Sequence, residues 1–502
     1  MTALKKKLKK MKTADNNINI FALTDSHQET RKLCRLFSKI IEEAPDKGKN
    51  TLICDCGDLF KGIYDRELSI ESYEILRRCL PEAKIVLALG NNDFGFNLDS
   101  FKFLQSAAKR FNQSNIHVLC ANLLDMNTGR CPSWVDPYIL LEINHKKVMV
   151  ISFCINQIRL NKYGVVLTSV PETFTAMSEV IKHIAPDALI VLNHDLEQSS
   201  HQIYAASVAE GVRIDLLLGG HEHSPIAPNE KERVYYPQAF SKTMLHFDMG
   251  FLKNSTSLRF IEEINVKQTA INPVFEPHLI EFEEKAGLNI PVAKSTLNLE
   301  KIYSNPCSLG TFIADCMKSA AKTDIGFIST GYTSHALRYE KDKILTNYNL
   351  ERAFSADVPL QTILLTPQEL KDVFDNAVKY RYLIPTGNVR FLQCSQNVEI
   401  RCRRRYDNNE GEVTQIYIGG EPLFKEDGTP VYADKVITCA LDPFVGAGEQ
   451  GFDVLRPLPK ETLLKNNHLV KIKDLFNRAI KEAAEKYPEG SSYACFKLVD
   501  EA

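Results

Sequence analysis

The stretch Leu216-Leu217-Leu218-Gly219-Gly220-His221-Glu222-His223 constrains this chain more than any other. Three leucines in a row read as a strand buried on both faces. Two glycines let the backbone turn tightly where that strand ends. Two histidines follow at i and i+2, so a single loop can aim two imidazoles at neighbouring points. Histidine is the commonest metal ligand, and open α/β sheets bind ligands outside the carboxyl ends of their strands. The stretch therefore predicts a layered domain with a site beyond its strand ends. The other members of that site must come from other strands.

Such strands recur along the chain. Ile18 to Thr24 is mostly apolar and closes on Asp25-Ser26-His27. Thr51 to Cys54 leads to Asp55-Cys56-Gly57-Asp58, and Lys84 to Leu89 leads to Gly90-Asn91-Asn92-Asp93. Ala188 to Leu192 leads to Asn193-His194-Asp195. Helical patterns over 29–43, 69–79, 173–185 and 199–210 separate these strands, an alternation that predicts an α/β fold. His117 to Leu123 reads as a further strand, Tyr138 to Phe153 as a hairpin, and Thr243 to Val266 as two antiparallel strands. Helices over 309–321, 367–378 and 470–485, with strands at 325–329, 414–418 and 435–440, make the second half mixed α and β as well.

The strand-end residues suited to ligation are Asp25, His27, Asp58, Asn91, His194, His221 and His223. Carboxylate, imidazole and amide oxygen suit divalent ions such as Mn, Zn, Fe, Mg or Ca. Seven donors exceed the needs of one ion; with Asp58 shared they fit two. Two ions about 3.5–4 Å apart can clamp both oxygens of an in-line displacement at phosphorus. Asp55 lies nearer its strand end, but the glycine before Asp58 favours Asp58 as the ligand.

The ordered series Asp25-Ser26-His27, Gly57-Asp58, Gly90-Asn91, Asn193-His194 and Gly219 to His223 resembles the calcineurin-like metallophosphoesterases. It is most similar to their 5′-nucleotidase branch, as are Ala121-Asn122, the Lys147 to Val150 strand, Leu309 to Asp315 and Gly448 to Phe452. The resemblance spans roughly residues 18–457. It implies a four-layer αββα metallophosphoesterase domain followed by a smaller mixed α/β C-terminal substrate domain. It also implies two divalent ions (Mn, Zn, Fe or Mg), one held by Asp25, His27, Asp58 and His223. The other would be held by Asp58, Asn91, His194 and His221. A hydroxide bridging the ions would attack, and Asn91 would help steady the phosphoryl oxygens.

Departures from the family pattern are informative. The histidine that usually follows the Asn is Asn92 here, and its supporting acid is Gly95. An amide cannot donate a catalytic proton, help that is typically worth roughly 10²–10⁴-fold. Asp93 is the nearest substitute, so the catalytic candidates are Asn91, Asn92 and Asp93. In the C-terminal domain the family's Asn-to-Arg loop reads Ser329 to Ser334, without either residue. The two base-stacking positions fall at Leu360 and Phe444, and Gln450 replaces an acid. Ser334, Leu360, Phe444 and Gln450 are thus the substrate-binding candidates. The expected activity is hydrolysis of a nucleotide or other small phosphorylated metabolite. The alternatives are a phosphodiesterase or nucleotide pyrophosphohydrolase, and a metal-retaining, weakly active or inactive ligand-binding homologue.

Composition narrows the setting. The 502 residues exceed one core, and the formal net charge of −2 provides no global field for nucleic acid. Expected domains are a basic tail (1–16), the metallophosphoesterase domain (17–268), a linker (269–292), the substrate domain (293–465) and a terminal helix with tail (466–502). Thirteen scattered cysteines fit a reducing compartment. The basic start lacks an apolar core for a signal peptide and no apolar run reaches membrane-spanning length, so a cytoplasmic location is expected. Release by a non-standard route stays open. The remaining histidines read as surface or core residues, and Arg401 to Arg405 as a solvated strand edge. Phe444 fits base stacking or ordinary packing; Tyr332, Tyr380 and Tyr382 fit a pocket or the core.

Overall fold

The computed structural model describes residues 17–501 apart from 28, 61–64, 96–97, 157–159, 254, 303, 334, 355–356, 384–390 and 433. Two compact units result, one reaching Phe282 and the other starting at Glu283. Among the described residues, no helix is long and apolar enough to cross a membrane.

In the first unit the chain runs β1 (Asn17–Leu23), α1 (Thr30–Glu43), β2 (Thr51–Asp55), α2 (Arg66–Cys79), β3 (Lys84–Ala88), α3 (Leu98–Gln113) and β4 (Ile116–Leu119). It continues through β5 (Tyr138–Ile143), β6 (Lys146–Cys154), α4 (Val170–Ile184), β7 (Ala188–His194), α5 (Glu197–Ala209) and β8 (Leu216–Gly220). Short β9 (Val234–Tyr235) and the antiparallel pair β10 (Thr243–Phe251) and β11 (Thr256–Asn265) complete the two sheets. One sheet has the order β11-β10-β1-β2-β3-β4, the other β9-β8-β7-β6-β5.

Side-chain alternation builds the layers. Ile18, Ile20, Ala22, Leu52 and Cys54 share one buried cluster with Val148, Val150, Ile190, Leu192, Leu216 and Leu218, so these faces of the two sheets meet. The opposite face of the first sheet, through Phe21, Ile53 and Ile85, packs on α1, α2 and α3. The opposite face of the second, through Met149, Leu189 and Val191, packs on α4 and α5. This is the expected αββα arrangement. Helix α3 was not anticipated, although Phe101, Leu104, Ala108 and Phe111 mark its buried face at helical spacing.

The strand expected over 117–123 is broken. It stops at Leu119, and Leu123–Asp125 pairs instead with Val165–Leu167. Asn122 explains the break: its amide donates to the Cys154 and Thr168 carbonyls and accepts the Cys154 N–H, taking the place of ladder bonds.

The second unit is a five-stranded sheet with helices on both faces. Its strands lie in the order 392–394, 325–329, 437–441, 361–365, 460–462. Pro367–Val378 covers one face, starting from a capping box between Thr366 and Glu369. Ser308–Ala321 and Ile472–Lys486 cover the other. A separate four-stranded sheet places Val398–Arg404 between strands 411–418 and 497–500. The arginine run is therefore an interior strand and not an edge. Its charges are matched along the strand, Arg401 with Glu399 and Arg403 with Glu412, and Arg401 also lies over Tyr417.

Candidate metal centre

The carboxyl ends of parallel β1, β2 and β3 in one sheet and of β7 and β8 in the other open toward the same place. The turns leaving β1 and β2 are laced together, with the Asp25 N–H donating to the Gly57 carbonyl and the His27 N–H to that of Asp58. Asp25, His27, Asp58 and His221 all take positive φ, between 45° and 75°. Such conformations are costly for side chains larger than glycine and cluster at functional sites. Gly90 lacks a Cβ for a physical reason, since one there would overlap the Asp58 carboxylate.

One acid–imidazole cluster results. Ligand atoms of Asp25, His27, Asp58 and His223 all lie within 4.8 Å of one another. The Nε2 atoms of His27 and His223 are 2.9 Å apart. Asp25 Oδ1 lies 3.5 and 3.4 Å from them, buried and without a hydrogen-bond partner, while Oδ2 accepts from Thr24 Oγ1 and the His221 N–H. Asp58 Oδ2 is 3.5 Å from His27 Nε2 and 3.4 Å from His194 Nε2. An orphaned carboxylate oxygen facing two imidazole nitrogens fits a divalent cation. It suits little else, because buried charges must be paired or bind metal.

The remaining candidates adjoin this cluster. Asn91 Oδ1 lies 2.8 Å from His221 Nδ1 and 3.3 Å from His194 Nε2. His194 Nδ1 faces the Cys56 carbonyl at 2.8 Å, so Nδ1 carries a proton and Nε2 is the nitrogen turned toward Asp58. Burial opposes charge on His194, yet the Asp58 and Asp25 carboxylates outweigh it and raise its pKa to about 10. Asp25 and Asp58 move the other way: burial would raise them, but the surrounding imidazoles hold both well below the usual carboxylate range. The field that holds a proton on His194 is one that attracts a metal cation. Burial, then the His194 charge, lowers His221 to about 4, so its ring stays a neutral donor.

Asn92 contacts Asp58 twice, its N–H donating to Oδ1 at 2.7 Å and its side-chain amide to Oδ2 at 2.5 Å. Asp93 is placed differently. Its two oxygens accept the N–H groups of Asp58 (3.0 Å), Gly90 (2.8 Å) and Phe60 (2.7 Å), so it ties the β2 and β3 turns together. Asp55 likewise serves the scaffold, accepting from the Tyr73 hydroxyl and the Gly57 N–H. Sequence reasoning missed Phe240, whose ring lies 5.3 Å from that of His27 and 4.8 Å from that of His223. Its only sequence signal is its position just before β10, the strand beside β1.

The candidates in the second unit are scattered in character. Phe444 is half-buried, edge-on to buried Tyr332 at 6.3 Å. Gln450 has positive φ and a buried side-chain oxygen without a partner. Leu360 is fully buried in the core beneath Ser308–Ala321, so its side chain has no surface to offer a ligand. Ser334 lies outside the described residues.

Residues 18–225 match the family described as calcineurin-like phosphoesterase, and residues 288–457 match the 5′-nucleotidase C-terminal domain. No curated protein sequence matches the chain. Among solved structures, the fold is similar to a 5′-nucleotidase precursor from Thermus thermophilus. That likeness has 15% identity and a TM-score of 0.73, over 97% of this chain and 100% of that one. The 5′-nucleotidase from Candida albicans is similar at 14% identity and a TM-score of 0.64, over 93% and 98% of the two chains. The sulfate thiohydrolase SoxB of Thermus thermophilus is similar at 14% identity and a TM-score of 0.66, over 93% and 82%. A fold shared with a sulfate thiohydrolase does not by itself select a substrate. With both halves matched in order, this chain belongs to the calcineurin-like phosphoesterases, metal-dependent phosphoric ester hydrolases, and carries a C-terminal domain of the 5′-nucleotidase type.

Proposed function

We propose that the protein hydrolyses a phosphoester of a nucleotide or another small phosphorylated metabolite with two divalent ions. The observation that carries this reading is the convergence of Asp25 Oδ1, His27 Nε2, Asp58 Oδ2 and His223 Nε2 on one point. Asn91, His194 and His221 adjoin through Asp58, which supports a second ion beside the first. Bound there, the ions would supply a water nucleophile at neutral pH and neutralise charge on the phosphoryl oxygens. Mn, Zn, Fe and Mg all suit this donor set.

The chain's own residues divide the remaining work. Asp58 stands between the two sets and orients both. Asp93 holds the turns that carry Asp58 and Asn91, a positioning role that leaves its oxygens committed to amides. Asn92 can donate hydrogen bonds but cannot release a proton, so the leaving group departs with little acid help. That favours substrates with good leaving groups, which makes a phosphodiesterase or nucleotide pyrophosphohydrolase the second reading.

A metal-supplemented screen of phosphate monoesters, diesters and pyrophosphates tests both. Turnover that EDTA abolishes and Asp58→Asn removes is the expected result. No turnover on any class, with metal bound, would leave a ligand-binding homologue as the better description. Clear preference for AMP over bis-p-nitrophenyl phosphate would sink the diesterase reading.

A further inference from the structure

We propose that Phe240 is a positioning residue of the metal centre, its ring fixing the imidazoles of His27 and His223 in the orientation an ion needs. The inference rests on the metal reading of that cluster. Phe240 and Ser241 take φ of 65° and 48°, two consecutive side-chain-bearing residues in the left-handed region. An aromatic residue with such a φ is an outlier, and strain of this kind persists only where the surroundings enforce it.

The surroundings do enforce it. The Phe240 N–H donates to the Asp25 carbonyl at 2.7 Å. On one side the Gln238 N–H donates to Thr243 Oγ1 at 3.0 Å, and on the other the Lys242 carbonyl accepts from the Val266 N–H at 2.9 Å. The segment is thus pinned before, at and after Phe240. Its ring meets His223 at a centroid distance of 4.8 Å and 64°, and His27 at 5.3 Å and 35°. Lys242 Nζ, 5.4 Å from the Phe240 centroid, adds a cation–π contact.

Comparison with His194 shows what the ring supplies. A ligating histidine is normally oriented by a hydrogen bond from its other ring nitrogen. His194 has such a bond, to the Cys56 carbonyl. Among the described residues His223 has no partner for Nδ1, and its side chain is 29% exposed, the most exposed of the four in the cluster. Without the Phe240 ring beside it, His223 is free to swing toward solvent. The aromatic contact takes the place of the missing hydrogen bond, and the left-handed backbone is what delivers it.

Cobalt(II) titration of the EDTA-stripped full chain, followed by its visible absorption bands, tests this without relying on activity. Phe240→Leu and Phe240→Gly are expected to weaken the tighter cobalt site at least tenfold and change its band shape. Phe240→Tyr, which keeps the ring, is expected to retain both. Wild-type affinity and spectrum in Phe240→Leu and Phe240→Gly would overturn the inference. So would affinity losses that simply follow the apo melting temperatures of the three variants. Absence of cobalt binding by the wild-type chain would overturn the metal reading and this inference with it.

Discussion

The Nε2 atoms of His27 and His223 meet at 2.9 Å although 196 residues separate them in sequence. At most one proton can lie between two such nitrogens, and the Asp25 carboxylate beside them has an oxygen with no hydrogen-bond partner. A divalent cation satisfies all three groups at once. Metal should therefore raise the melting temperature of the EDTA-treated protein. Saturation at 100 times the dissociation constant contributes about 2.7 kcal/mol. Differential scanning fluorimetry with and without Mn²⁺ or Zn²⁺ checks this, and His223→Ala should remove most of the shift.

A second prediction concerns the turn after β8. A Cβ on Gly219 would overlap the Tyr236 ring. That ring is held by its hydroxyl, 2.7 Å from Ser200 Oγ, which in turn accepts from Asn193 at 2.9 Å. Neither neighbour can yield without disturbing the strand that ends in His194. Gly219→Ala is expected to destabilise the first unit by roughly 1–3 kcal/mol, the usual cost of overpacking. Urea unfolding measures it, and an unchanged midpoint would show that Tyr236 moves freely.

The polar ends of the strands were legible because the candidate ligands sit at or just past the ends of apolar runs, a local pattern that needs no knowledge of pairing. The strand–helix alternation predicted an α/β layered domain, and the four-layer αββα form came from the resemblance to the calcineurin-like metallophosphoesterases. What escaped had non-local causes. Asn122 breaks a strand only because Cys154 and Thr168, far along the chain, present groups to its amide. The arginines of 401–405 suggested an edge, yet the strand is interior because the chain's last strand, Lys497–Asp500, pairs alongside it. Asp93 stood out in the sequence by its nearness to Asn92, but the three amides that donate to it are brought there by folding of the β2 and β3 turns, which sequence does not display. Phe240 carried no motif at all, since its effect depends on a backbone conformation that sequence does not display.

In the second unit, Asp442 accepts N–H groups from Ser329 (2.8 Å), Phe444 and Val445 (3.0 Å each). Burial pushes its pKa up to about 6 despite those donors. The folded pKa exceeds the ordinary value of 3.8, so folding favours the protonated form. That contribution is fully present below pH 3.8 and is lost as pH rises through about 6. Between pH 7.5 and pH 5 the wild type should gain roughly 1 kcal/mol over Asp442→Asn, which cannot titrate. Parallel stability curves for the two proteins would contradict the shift.

Asn92 supplies the most discriminating prediction about chemistry. Its two donors reach both oxygens of Asp58, so it lies against the residue shared by the two sets of candidate ligands. An amide there can hold and polarise a neighbouring oxygen, but it keeps its protons at any working pH. The penalty should fall on leaving groups that need a proton and spare those that do not. Turnover of p-nitrophenyl phosphate is therefore expected to exceed that of a simple alkyl monoester by about 10² or more. Asn92→His, which places a titratable group at the same position, should narrow that gap chiefly by raising the alkyl rate. Asn92→Ala should leave the ratio wide, because it removes a hydrogen bond without providing an acid. A ratio near unity in the wild type, unmoved by Asn92→His, would mean that proton delivery comes from another group, and Asn92 would then be only a clamp on Asp58.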